Sequence, residues 1–304
     1  MATIREIRRR IRSVKNIAQV TRALEAVSAS KVRRAQAQVL ATRPYAQQAW
    51  EVLTSLTQQS GAGPHLHPLL AVRPVKTIGL IVVSGDRGLC GAYNFNIIRK
   101  VMELIRDQSA STRLVTVGRK GRELLVRAGQ NVVAEFSNLS AAPAALEITP
   151  IGRIVVDDFL GEKIDEVYVA YTTFVSTLSQ RPAIKRLLPL KLEAADHVAS
   201  DLIVGAETGR LTRREYLYEP GPEALLGALI PRLIELQVYQ AVLESLASEH
   251  SARMVAMRNA TDSARDLVGQ LTLTYNKARQ QSITSELLDI AGGAEALRQV
   301  LAQA

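Results

Sequence analysis

Apolar residues advance by threes and fours, or by their sum, along the first stretch of this chain. Ile4, Ile7, Ile11, Val14, Ile17, Leu24 and Val27 fall on one helical face. The stripe slips through the small-residue patch Ala26 to Ser30, and Val32, Ala35 and Val39 resume it. No glycine interrupts residues 2–58 and the only proline is Pro44, so the pattern predicts one long helix with a kink at that proline. A linker rich in breakers follows, with Gly61, Gly63, Pro64, Pro68 and Pro74. The rhythm then changes. Thr77–Ser84, Arg113–Val117, Asn131–Phe136, Glu166–Val175 and Ile184–Leu192 are β-branched runs predicted as strands. Between them Asn94–Asp107, Lys120–Ala128 and Pro150–Leu160 carry helical spacing. Strands alternating with short helices predict a mostly parallel sheet with helices on its faces.

The C-terminal part carries the longest pattern. Steps of three and four from Leu226 reach Leu229, Leu233, Leu236, Gln240, Leu243, Ala247, His250, Met254, Met257, Thr261, Ala264, Val268, Leu271, Tyr275 and Ala278. Thirteen of these sixteen positions are apolar, a heptad seam far longer than a globular helix needs. At about 1.5 Å per residue, a helix over residues 223–297 would be roughly 110 Å long. Pro231 implies either a kink or a later start of the regular helix. Two such helices at opposite ends of a chain, with an α/β insert between them, cover each other's seams most simply as an antiparallel two-stranded coil. Gln240, His250 and Thr261 would fix its register. The fold expected is therefore α/β with long helices: coiled-coil segments over residues 1–60 and 222–304, and a Rossmann-like α/β domain over 75–215. Beyond Ala278 the seam ends and a new stripe begins, Ile283, Leu287, Ile290, Ala294, Leu297 and Leu301. The second helix outruns the first there, so the new stripe either turns its apolar face to another partner or belongs to a terminal helix folded back onto the protein.

Charge sharpens this picture. Residues 1–43 hold eleven cations against Glu6 and Glu25, which accounts for the whole formal charge of +9. A basic stripe of this kind expects an anionic partner. Nucleic acid is one candidate, but the cations are spread around the helix and few aromatics accompany them, only 4% of the chain. The Arg-rich start resembles a transit peptide in composition, yet its pattern runs far past residue 30. Cys90 is the single cysteine, which excludes an internal disulfide. No apolar run approaches the roughly 18 residues that span a bilayer. Ser84-Gly85-Asp86-Arg87-Gly88-Leu89-Cys90-Gly91 sits between a strand and a helix, as a phosphate loop would, but fits neither glycine-rich fingerprint. The competing reading is a tight turn packing helix on strand. His65 and His67, beside two prolines, read as solvent-exposed loop residues rather than metal ligands.

Three stretches carry a family resemblance. Ile4–Gln36 (IREIRRRIRSVKNIAQVTRALEAVSASKVRRAQ), Ser84–Asn94 (SGDRGLCGAYN) and Ala252–Leu288 (ARMVAMRNATDSARDLVGQLTLTYNKARQQSITSELL) all resemble the ATP synthase gamma family. The resemblance implies a non-catalytic rotor of the central stalk, without cofactor or metal, peripheral on the cytoplasmic face of the plasma membrane. Its implied partners are the alpha and beta subunits of the catalytic hexamer, the epsilon subunit and the ring of c subunits, with no nucleic acid. By position, Lys31, Arg33, Arg253, Arg279, Gln280, Thr284 and Glu286 match residues facing the hexamer. Tyr216, Tyr218 and Glu219 match the foot near epsilon and the c-ring. The lone Cys90 excludes the dithiol insert of chloroplast relatives.

Overall fold

The computed structural model describes residues 3–59, 67–190 and 221–303. The breaker-rich linker around Gly61–Pro64, with His65, and the polar stretch 193–215 lie outside the described residues. Helix α1 runs Ile4–Gln59 without interruption at Pro44. A capping box starts it: Thr3 Oγ1 accepts the Glu6 amide (3.3 Å) while Glu6 Oε2 accepts the Thr3 amide (2.9 Å). After a short 3-10 turn, Pro68–Leu70, come β1 (Thr77–Val83), α2 (Tyr93–Asp107), β2 (Ser111–Val117) and α3 (Arg119–Arg127). These are followed by β3 (Val132–Phe136), α4 (Ala145–Leu160), β4 (Glu166–Phe174), β5 (Gln180–Leu188) and the last helix, α5 (Pro222–Gln303).

The strands form one sheet in the order β3-β2-β1-β4-β5, parallel except for β5, which returns antiparallel to β4. Burial of both faces explains why β1 lacks alternation in sequence. Ile81 and Val83 join one core with α4 and the start of α5, whereas Leu80 and Val82 join the other with α2. Two expectations are corrected. Helix α4 starts at Ala145, ahead of Pro150, because Leu146, the residue whose carbonyl loses its amide partner, is exposed to water. Strand β5 starts at Gln180 and ends at Leu188 rather than spanning Ile184–Leu192.

Contacts divide the chain into two compact units, 1–26 with 256–304, and 27–255. In the first unit, Thr21 meets Thr261 (Oγ1···Oγ1 2.7 Å) and Arg8 meets Tyr275, its guanidinium over the ring and bonded to the hydroxyl. Thirteen residues back along α1 thus match fourteen forward along α5, so the two helices run antiparallel. The N-terminal seam differs from the one expected. Ile17 and Val27 are exposed, and the covered positions are Ile4, Ile7, Ile11, Val14, Ala18, Thr21, Leu24 and Glu25. The heptad does not slip; small and polar residues occupy it, Leu24 flanks it half-buried, and Ile17, Val20 and Val27 face outward.

In the second unit the sheet's larger core takes in Leu226, Ile230, Leu233, Ile234, Val238 and Val242 of α5, with Ala49 and Val52 of α1 packed on it. The α5 helix begins at Pro222, ahead of Pro231, which rules out a later start for the helix. All sixteen seam positions expected on α5 are buried or half-buried.

Candidate functional site

The turn after β1 is built around α5. Gly85 donates its amide to Asn94 Oδ1 (2.8 Å), and a Cβ on Gly85 would lie 2.9 Å from Glu249 Cδ, so any larger residue there would push the Glu249 carboxylate aside. Glu249 is buried and pairs with Arg253 one turn on, at 2.6 Å. Burial raises the Glu249 pKa, and the Arg253 guanidinium opposes that rise. The same guanidinium donates to the carbonyls of Arg87 and Gly88, each at 3.3 Å, and lies 3.3 Å from His250 Nδ1. Burial, with Arg253 and Lys31 nearby, pushes the His250 pKa down to about 4, so its ring is neutral. With Nδ1 facing a guanidinium, the proton belongs on Nε2, which has no hydrogen-bond partner among the described residues.

On its adjacent face α5 is fastened to β4 and the turn after it. Ser245 Oγ accepts the Thr172 amide (3.0 Å), Ser248 Oγ donates to the Thr172 carbonyl (3.0 Å) and Ser251 Oγ to the Thr177 carbonyl (2.9 Å). Tyr93 donates its hydroxyl to the Ser245 carbonyl (3.1 Å). Sequence reading missed this polar dock, because heptad counting follows one seam whereas α5 is buried nearly all round between Gln237 and Ser251. The serines at every third position from 245 were its only signal.

Among the described residues, this arrangement leaves no open crevice at the strand ends. Open α/β sheets take ligands in the crevice beyond the carboxyl ends of their strands. Here α5 fills that crevice, leaving a cavity of about 30 Å³ lined by Ser84, Asp86, Tyr93, Gly118, Ser245 and Glu249, room for water only. Asp86 itself occupies the start of α3, accepting the amides of Arg119 (3.1 Å) and Asn138 (2.8 Å). The tight-turn reading of Ser84–Gly91 is the one the geometry supports.

The residues matched to the hexamer fall into distinct settings. Lys31 is half-buried in the second unit, close enough to influence Glu249 and His250. Arg33 is exposed. Arg253, by contrast, is held inward by its own chain, its side chain only 13% exposed. On the first unit Arg279, Gln280, Thr284 and Glu286 are exposed, as are Ile283, Leu287 and Ile290. Arg33 and Arg279 make no ion pair among the described residues. The apolar stripe stays on one continuous helix and is not folded back; the side chains of Leu297 and Leu301 lie outside the described residues. Tyr216, Tyr218 and Glu219 also lie outside them. His67 Nδ1 accepts the Leu69 amide (3.2 Å), a cap that ties this ring to the 3-10 turn.

The comparisons with known proteins agree with this architecture. Residues 3–297 match the family model described as ATP synthase. The ATP synthase gamma chain of Dehalococcoides mccartyi is 50% identical over 98% of this chain and all of its own length. That of Roseiflexus castenholzii is 50% identical over 99% and 100%. Among solved structures, a chain of the Tetrahymena thermophila mitochondrial ATP synthase central stalk and c-ring superposes with a TM-score of 0.60 at 26% identity, covering 79% of this chain and 99% of that one. A chain of the Euglena gracilis mitochondrial ATP synthase shares the fold at TM-score 0.65 and 21% identity, over 97% and 94%. Half-identity sustained from end to end, on a sheet-and-paired-helix fold of the same kind, places this chain in the ATP synthase gamma-chain family.

Proposed function

We propose that this chain is the non-catalytic shaft of an ATP synthase, whose rotation couples proton flow through a membrane sector to nucleotide chemistry on the beta subunits. Three catalytic sites of one sequence differ in affinity only if something asymmetric touches them differently, since a ligand shifts an equilibrium only by its differential interaction with the states. In this reading the paired helices over residues 1–60 and 222–304 are the asymmetric ligand, and the α/β domain over 75–215 is the base. Lys31, Arg33, Arg279, Gln280, Thr284 and Glu286 meet the alpha and beta subunits, whereas Arg253, matched to the same surface by resemblance, is left out because its guanidinium is engaged by Glu249 and by the carbonyls of Arg87 and Gly88. Tyr216, Tyr218 and Glu219 meet the epsilon subunit and the c-ring. Membrane contact comes only through the complex, at the cytoplasmic face of the plasma membrane.

The observation that carries the reading is the end of α5, where Arg279, Gln280, Thr284 and Glu286 stand exposed beside the exposed Ile283, Leu287 and Ile290. Such a surface, left uncovered among the described residues, suits a bearing. The exposed basic face of α1 supports it, because exposed ion pairs of about 0–1 kcal/mol attract acidic loops without locking onto them. Reconstitution with alpha and beta subunits tests the proposal: the chain should restore cooperative ATPase activity. Gln280→Leu or Glu286→Ala should lower coupled turnover about tenfold, the loss of one hydrogen bond of ~1.4 kcal/mol, in a chain that remains folded. Full turnover by both variants would remove these residues from the bearing, and failure of the unaltered chain to restore cooperativity would reject the rotor.

A further inference from the structure

A shaft transmits torque only if it cannot turn within its base. Apolar packing resists separation but is non-directional, so it opposes sliding weakly. Hydrogen bonds depend on angle as well as distance, and those to charged groups are about twice as strong as neutral ones. The stretch of α5 beside the sheet carries just such bonds on two adjacent faces. Ser245, Ser248 and Ser251 hold β4 and the turn that follows it. Arg253, charged against the buried Glu249, holds the carbonyls of Arg87 and Gly88.

We propose that Glu249 and Arg253 form a latch between α5 and the turn Asp86–Gly91, making helix and α/β layer of the second unit rotate as one body. The pair acts through the turn and is a positioning element. Glu249 orients the guanidinium, and the guanidinium fixes the two carbonyls just ahead of Leu89, the residue that takes a left-handed φ of 62°. Beneath the turn lies Cys90, only 2% exposed, with its thiol 3.8 Å from the Arg87 carbonyl and 3.3 Å from Asn94 Nδ2. The torque role rests on the rotor reading; the latch itself does not.

Cys90 makes the latch measurable, because it is the chain's one thiol. Alkylation of the full-length chain by N-ethylmaleimide, followed by mass spectrometry, should be slow for the wild type and for Arg253→Lys, whose ammonium still reaches Glu249. It should be at least about tenfold faster for Arg253→Ala, since opening of the turn exposes the thiol. The neutral pair Glu249→Gln with Arg253→Met removes both charges at once, leaves no buried charge unpaired, and should open the turn equally. In reconstituted membranes both altered chains should pump fewer protons per ATP hydrolysed, with Arg253→Lys restoring the ratio. Unchanged Cys90 protection in both altered chains overturns the latch. An opened turn with an undiminished pumping ratio overturns its torque role. If the unaltered chain fails to support coupled ATPase, it is the rotor reading that falls, while the alkylation rates still decide the latch.

Discussion

His250 shows how a single buried side chain ties stability to pH. Burial strips water from the ring, and the cationic Arg253 and Lys31 lie nearby with Glu249 beyond them, so a proton on the ring is unwelcome in the folded chain. The native pKa of about 4 lies below the ordinary 6.5, so between these values the unfolded chain binds more protons than the native one. Stability is therefore full above pH 6.5 and is lost as pH falls toward 4, by about 2 kcal/mol at pH 5. Glu249 has the opposite tendency, because its raised pKa favours the protonated native state as pH drops. His250→Gln removes only the first contribution. On going from pH 7.5 to pH 5, wild type should lose several degrees of thermal midpoint more than this variant; equal losses would show that the ring is not held neutral. None of this was legible in the sequence, where His250 stood only as a polar step in an apolar seam. Its cationic neighbours come from α1 and from the next turn of α5, and their approach depends on helix pairing.

At the scale of elements, the two long helices were legible to different degrees. The α5 seam was readable throughout because leucines, alanines and methionines fill it, and hydropathy and contact coincide. On α1 apolar character and burial part company between Ile17 and Val27, where Leu24 alone of the expected stripe is half-covered. Here Ala18, Thr21 and Glu25 face α5, while Ile17, Val20 and Val27 face outward. The sheet was read correctly in type, since β-branched runs buried on both faces have few alternatives. The dock of α5 was invisible, because its serines find partners only once the sheet exists. The α1 stretch contains a testable pair. Thr21 and Thr261 share a 2.7 Å hydrogen bond, and each hydroxyl also lies within reach of a carbonyl of its own helix. Either Thr→Val change alone removes the bond between the helices, at ~1 kcal/mol, while the hydroxyl left behind keeps the carbonyl of its own helix. The two together replace a polar contact by an apolar one and should cost less than the sum, with a coupling of at least about 0.5 kcal/mol. Hydrogen exchange of α1 amides around Thr21 reads this locally; strictly additive losses of protection would remove the pair as a register pin.

For the molecule as a whole, the decisive contrast lies between apolar residues that serve the fold and those that await something else. Leu243 is fully buried in the second unit, and Leu287 is 61% exposed in the first, yet both belong to leucine-bearing stripes of one helix. A carboxylate at Leu243 would be stranded among apolar groups, at a cost above about 3 kcal/mol, enough to unfold its surroundings. A carboxylate at Leu287 meets water, so the free chain should change in stability by less than about 0.5 kcal/mol. If the end of α5 runs in a bearing, the same Leu287→Glu chain should assemble with alpha and beta subunits yet give a lower coupled ATPase rate, because a charge then enters an apolar collar. Leu243→Glu should lower the thermal midpoint of the chain before any partner is added. The two measurements separate folding from function on one helix. An isolated Leu287→Glu chain that melts early would mean that the stripe is covered by its own protein. A stable one with full coupled activity would mean that nothing apolar surrounds it.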